Sequence, residues 1–512
     1  MIFWRVKTLD SILATAEKKS LHRSLDAWHL TLLGVGAIIG TGIFVLTAEA
    51  AQKAGPGMMI SFAIAGFVCA VAALCYAELS SMVPVSGSAY TYSYAVLGEL
   101  VAWLVGWALI LEYAVAASAV AVGWSGYFVG LLQNSLDMVI PKALANGPYA
   151  GGIINLPAVV VCMLVSGLLI IGTKESATFN AVLVGVKITA LTAFIFLALP
   201  ALDSQHFHPF LPQGTTGVVA AASSIFFAYV GFDAVSTAAE ETRNPQRNVP
   251  IGLIGSLAIC TVFYLLVSAG AIGAVGAQPV MDAAGVSLPP GSKELTQQCQ
   301  ALAASGPQPL VCSREALALV LRQIGWERIG NLIGLAAFLA LPSVVLMMLF
   351  GQTRIFFVMA RDGLLPEVLS QVHERFKTPH IVTAVTGIAV TIAAAFLPVG
   401  KLADISNSGT LFAFTIVAIS VMILRAREPN RKRPFKTPGI WFFGPLAVFG
   451  CVTLFFYLPQ DAKLVFPIWA IIGLTFYFFY GYQNSHVARG LDTPSGGEDI
   501  IREIHSLVDP EE

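Results

Sequence analysis

Gly34-Val35-Gly36-Ala37-Ile38-Ile39-Gly40-Thr41-Gly42 sits inside an apolar run from about residue 28 to residue 53. A bilayer is crossed by roughly 20 apolar residues in helical form, so the run is long enough to span one. Glycine at mid-run weakens a helix and frees the backbone to unwind. The spacing G-x-G-x-x-x-G is one residue longer than the dinucleotide fingerprint and follows no strand-like segment, so a phosphate-binding turn is excluded. Two readings remain. Gly36 and Gly40 form a G-x-x-x-G helix-packing face. Alternatively the helix breaks here, leaving N–H groups near Thr41 and Gly42 at the start of a second half-helix to face an anion, and carbonyls near Ile38 to face a cation.

A zwitterionic α-amino acid carries both charges. A second apolar run favours the broken-helix reading, because Phe226-Phe227-Ala228-Tyr229-Val230-Gly231-Phe232-Asp233 also places glycine at mid-run depth.

Working outward, about twelve apolar stretches meet the length criterion, near 28–53, 57–80, 98–131, 153–172, 179–200, 214–240, 250–276, 328–360, 380–397, 401–424, 441–458 and 464–484. The third and eighth exceed 30 residues, which demands tilt or projection beyond the bilayer. Runs one to five thus echo runs six to ten, and an odd number per unit makes the repeat an inverted one. The expected fold is an all-α polytopic membrane protein with twelve spans. Its units are residues 28–200 (first repeat), 214–424 (second repeat) and 441–484 (spans 11 and 12). Tails at 1–27 and 485–512 flank them.

Composition agrees. Of 512 residues, 56% are hydrophobic and only 12% charged, too few charges to cover a soluble surface. Lys plus Arg number 29 against 30 Asp plus Glu, which leaves no basic excess for nucleic acid. With both termini cytoplasmic, twenty Lys/Arg fall on that side and eight on the other, Lys187 lying within a span. A basic tail followed by twelve runs, with no targeting signal, fits the inner (plasma) membrane of a bacterium. Five of the seven cysteines lie inside apolar runs, and none has metal-binding spacing. Cys299 and Cys312 are the exceptions. They share the outer loop 277–327 on an oxidising face, and their spacing suits a disulfide.

The strings Gly36 to Phe44 (GAIIGTGIF), Phe226 to Pro250 (FFAYVGFDAVSTAAEETRNPQRNVP), Gln352-Thr353-Arg354 and Arg361 to Pro366 (RDGLLP) resemble the amino acid-polyamine-organocation (APC) superfamily. Within it they are similar to bacterial homologues of the cationic amino acid transporter subgroup. The likeness runs from about residue 20 to about 485. It implies the LeuT-type fold, a 5+5 inverted repeat with spans 1 and 6 unwound at mid-membrane. It also implies a central substrate site: the carboxylate at Thr41 and Gly42, the ammonium at the carbonyls of Ile38, Phe227, Ala228 and Val230. These are backbone contacts, so they suit any amino acid.

Ionisable residues inside spans are costly and therefore candidates. Lys187 lies about eight residues from either end of its span, too far for easy snorkelling. The resemblance implies that its ammonium stands where sodium-coupled relatives hold a sodium ion, which makes the proton the coupling ion and leaves no other cofactor or metal. Glu112 matches a subgroup position near the substrate and is equally readable as a structural acid. Asp233 follows the second break, where it either caps the next half-helix or assists substrate or proton binding. Phe227 and Phe232 flank that break as packing aromatics or as a gate.

The expected function is proton-coupled uptake of L-amino acids by alternating access, either small neutral ones such as alanine or cationic ones. The alternative is an amino-acid sensor using the same pocket without net transport; its expected signalling domain finds no counterpart in the short tails. Enzyme chemistry is not expected, since the eight histidines lie in tails, loops or span edges.

Overall fold

A computed structural model describes residues 5–7, 25–83, 88–172, 177–239, 242–376 and 378–490. Most of the 1–27 tail and residues 491–512 of the C-terminal tail lie outside the described residues.

Each apolar stretch is helical. The first becomes α1 (Ala27–Ile38), α2 (Thr41–Phe44) and α3 (Leu46–Ala54), followed by α4 (Met58–Met82), α5 (Ser88–Val96), α6 (Glu99–Leu136), α7 (Leu156–Ile171) and α8 (Ala177–Ala198). The sixth becomes α9 (Gly214–Ile225), a 3-10 turn at Phe226–Tyr229 and α10 (Ala234–Thr237). Then come α11 (Pro245–Val275), α12 (Lys293–Ser305), α13 (Ala316–Gln323), α14 (Glu327–Arg361), α15 (His380–Phe396), α16 (Val399–Arg427), α17 (Ile440–Tyr457) and α18 (Gln460–Phe476). Among the described residues, nine helices are long and apolar enough to cross a membrane, and α1, α7 and α15 are shorter apolar helices.

Asp26 starts α1 by accepting from the backbone N–H groups of Trp28 and His29, both at 2.9 Å, which satisfies two of the first-turn donors that a helix leaves orphaned. The long helices α6 and α14 pack against each other, as do α4 with α11 and α7 with α15. The outer faces of α17, and of α18 with the segment Tyr477–Gly481 that follows it, stay apolar and exposed, with Phe449 at 69% and Phe479 at 82% exposure. Unpartnered aromatic surface of this extent suits lipid, not water.

Two polar clasps fasten the ends of the bundle. At the end holding Arg5 and Tyr482, buried Glu78 of α4 receives both Arg425 (2.6 Å) and Arg433 (3.1 Å), and also the Thr437 backbone N–H at 2.8 Å. Two guanidiniums and an amide make up for the desolvation of that one carboxylate. At the other end, Cys299 and Cys312 are joined, with Cα atoms 5.5 Å apart. Arg314, in the same loop, bonds Asn146, Ser125 (2.9 Å) and the Ala145 carbonyl (3.2 Å). Burial lowers the Arg314 guanidinium to about 10. Burial also raises the adjacent Glu315 carboxyl, against the opposing pull of its partner Arg322.

Candidate functional site

The site forms where two interrupted helices cross. In the first, Ile39 is extended (φ −71°, ψ 96°) and Gly40 is far from helical (φ −149°, ψ −146°), so α1 stops and α2 starts afresh. In the second, Val230 is extended (φ −62°, ψ 140°) and Gly231 has φ +114°, a conformation open chiefly to glycine. A Cβ on Gly231 would lie 3.0 Å from the Ala37 carbonyl oxygen, and one on Gly42 would overlap Ala228. Residue 37 therefore meets 231 while 42 meets 228, so the two breaks run antiparallel. Both glycines permit backbone to lie on backbone.

The glycine run both packs and breaks, in different places. Gly36 is a packing glycine, since a Cβ there would come 2.7 Å from Val184 of α8. Ile39 and Gly40 are the break itself.

Unwinding strands carbonyls that a continuous helix would have satisfied. Gly36 would have paired with the N–H of residue 40; instead its oxygen accepts from Lys187 Nζ at 2.8 Å. Lys187 is 1% exposed. The Ile38 and Ala228 carbonyl oxygens, one from each break, both lie 2.9 Å from the Tyr264 hydroxyl of α11. Tyr264 is fully buried, and sequence reasoning passed it over because a lone tyrosine in an apolar span has no pattern. On the far side of the first break, Thr41, Gly42 and Ile43 are the opening residues of a helix, whose N–H groups have no intrahelical acceptor. Thr41 Oγ1 reaches the Val120 carbonyl of α6 at 3.5 Å.

The acidic candidates lie together. Asp233 Oδ2 accepts from the Tyr113 hydroxyl at 2.6 Å, while Oδ1 lacks a hydrogen-bond partner of good geometry among the described residues. Asp233 occupies the residue before α10, yet its side chain makes no capping bond to that helix; the carboxylate is turned to α6 instead. Glu112, next to Tyr113 in the chain, is fully buried with Asp233 and Thr410 beside it, and among the described residues neither of its carboxyl oxygens has a hydrogen-bond partner of good geometry. A Cβ on Gly409 would lie 2.8 Å from the Ala108 carbonyl oxygen and 3.6 Å from the Glu112 Cβ, so the glycine lets α16 close on α6 there.

Phe232 is fully buried among aromatics, its ring 6.0 Å from Tyr76 and 5.1 Å from Phe414. That is aromatic packing. Phe227 and Val230 are buried at the second break. Among the described residues, no group of three His, Cys, Asp or Glu is placed to hold a metal ion.

Such a crossing of two broken apolar helices is architecture for holding a small charged solute inside a membrane protein. The amino acid permease family model matches residues 25–478, which takes in the whole crossing. The chain belongs to that family. This permease is 43% identical to a branched-chain amino acid permease of Bacillus subtilis, over 94% of its own length and 98% of the relative's. It is 41% identical to a methylthioribose transporter of the same organism, again over 94% and 98%. A vacuolar cationic amino acid transporter of Arabidopsis thaliana matches at 37%, over 84% of this permease and 64% of the plant protein. The chain is thus a multi-pass membrane transporter of the APC superfamily and not an enzyme.

Proposed function

We propose that this permease takes up L-amino acids across the bacterial plasma membrane in symport with protons, by alternating access around the crossed breaks. The substrate carboxylate meets the opening N–H groups at Thr41 and Gly42. Its ammonium meets carbonyls from Ile38, Phe227, Ala228 and Val230. Neutral side chains, from alanine to branched-chain size, are taken ahead of cationic ones. The branched-chain name of a relative at 43% identity supports this preference, as does the enclosure of Glu112 by α16.

The observation that carries the coupling is the buried Lys187 ammonium on the Gly36 carbonyl. It ties α8 to the last turn before the break when charged, and it releases that turn when it gives up its proton. Glu112 and Asp233 are the further proton-handling candidates. The proton is the coupling ion, and no other cofactor takes part.

The reading includes twelve crossings with both termini in the cytoplasm. Residues 28–200 and 214–424 form a LeuT-type inverted repeat, and 441–484 form two added spans. Packing supports it. A pseudo-two-fold axis relating span n to span n+5 brings paired spans together near the axis, and α4 meets α11, α6 meets α14 and α7 meets α15.

Proteoliposomes supply the test. With the interior alkaline, labelled alanine or leucine should accumulate above its external concentration, and a protonophore should abolish the excess. Gradient-independent equilibration would remove proton symport. Saturable binding without any flux would favour the sensor.

A further inference from the structure

The chain leaving α16 carries Arg425, Arg427, Arg431, Lys432, Arg433 and Lys436 within twelve residues, against the single acid Glu428. Four of these cations are engaged by the protein itself. Arg425 and Arg433 serve the Glu78 clasp, Arg427 donates to the Val96 carbonyl of α5 at 2.9 Å, and Arg431 pairs with Glu428 at 2.8 Å. The two lysines are presented outward. From residue 432 to residue 438 exposure alternates as along an extended strand: Arg433, Phe435 and Thr437 are held against α4, whereas Lys432, Pro434, Lys436 and Pro438 are exposed. The inner set is fixed by the Arg433–Glu78 pair, by the Phe435 N–H on Ser81 Oγ at 3.3 Å, and by the Thr437 hydroxyl on the Leu74 carbonyl at 2.8 Å. α4 thus sets the register of the segment, and that register puts both lysines on its outer edge. Directly after it α17 begins, with Trp441 and Phe442 exposed at 66% and 67% and continuous with the lipid-facing surface that includes Phe449.

We propose that Lys432 and Lys436, with Trp441 and Phe442 beside them, bind the phosphate headgroups of anionic phospholipids in the adjoining leaflet, and that the bound lipid holds the segment on α4. Cations next to exposed aromatics at the start of a membrane-crossing helix match the bilayer boundary, where rings sit at headgroup level and ammonium groups meet phosphates. A free anion is a poorer match. Two lysines on an open edge are point charges without a fork or a pocket to enclose it, and the aromatic pair is matched only by a ligand that has an apolar part as well. The lipid phosphate also offsets the mutual repulsion of six cations crowded into one connection, which firms the Glu78 clasp between α4 and the chain joining α16 to α17.

The test titrates full-length protein in a neutral detergent with phosphatidylglycerol and, in parallel, with phosphatidylcholine, read by thermal denaturation and by native mass spectrometry. Phosphatidylglycerol should raise the melting temperature and stay bound, phosphatidylcholine should do neither, and high salt should weaken the effect. Lys432→Gln with Lys436→Gln should lower the apparent affinity for phosphatidylglycerol about thirtyfold, two juxtamembrane cations at roughly fivefold each. Lys432→Arg with Lys436→Arg should keep it, and Lys142→Gln at the opposite end should leave it unchanged. Wild-type affinity in the double glutamine variant overturns the proposal, as does equal stabilisation by phosphatidylcholine. Equal stabilisation by inorganic phosphate would assign the lysines to a soluble anion, and preferential binding of a short RNA would assign them to nucleic acid; either result removes the lipid. If the glutamine variant melts lower without lipid, the count of retained phosphatidylglycerol still decides. None of these readouts requires transport.

Discussion

Lys187 Nζ donates to the Gly36 carbonyl oxygen at 2.8 Å, so an ammonium from α8 satisfies an oxygen that the break in the first span has orphaned. A neutral side chain cannot replace that charge. Lys187→Ala should keep measurable amino-acid binding while losing accumulation driven by an alkaline interior. The check is uptake by proteoliposomes with and without the gradient, and wild-type gradient dependence in the variant would defeat the assignment.

Gly42 has a tighter constraint than its substrate role alone requires. A single Cβ there overlaps Ala228, so Gly42→Ala already forces the two breaks apart and Gly42→Leu does so severely. Overpacking of this kind costs about 1–3 kcal/mol. Gly42→Ala should lower the melting temperature and weaken binding of alanine and leucine, and Gly42→Leu should abolish ligand-induced thermal stabilisation. Unaltered binding by the leucine variant would move the anion site away from the first break.

The Tyr113 hydroxyl is the donor given to Asp233 Oδ2, at 2.6 Å in a fully buried setting. Tyr113→Phe should cost roughly 1–3 kcal/mol through the stranded carboxylate. Adding Asp233→Asn should recover part of that loss, because an amide is cheaper to leave unbonded than a carboxylate. A double-mutant cycle read by thermal denaturation measures the coupling, and strict additivity would show that the two groups do not depend on each other.

Alkylation under denaturing conditions without reductant should modify five thiols, Cys69, Cys75, Cys162, Cys260 and Cys451, and leave Cys299 and Cys312 untouched. Intact mass counts the adducts. Reduction should destabilise the outer loop by about 3 kcal/mol, the loop-closure value for a crosslink of this length, seen as faster proteolysis within 277–327.

The legible features in the sequence were those with a local signature. Apolar runs mark helices because lipid and a dry core both demand them. Glycines at mid-run mark the breaks, and a lysine far from either span end announces that something inside must receive it. Cys299 and Cys312 stood out as the two thiols outside the apolar runs. What stayed hidden is assembled across distance. Tyr264 acts through carbonyls 226 and 36 residues away, and nothing near position 264 shows that two helix ends converge on it. Lys53 reads as a charge closing the first apolar run, Ser224 as a small residue in a span and Asp404 as a boundary acid. Only tertiary packing makes them one clasp. Asp233 was recognised as a helix-start carboxylate, but its local options did not include Tyr113, which is 120 residues earlier.

Tyr264 has a mechanical consequence. Its single hydroxyl is at 2.9 Å from an oxygen on each broken helix, so it serves as a gauge block between them. Displacing either segment by an ångström relative to the other lengthens one of the two contacts beyond hydrogen-bond range. The two breaks therefore have to shift together, carried by α11, or lose an anchor. A rearrangement beginning at one break is in this way felt at the other without passing through any solute.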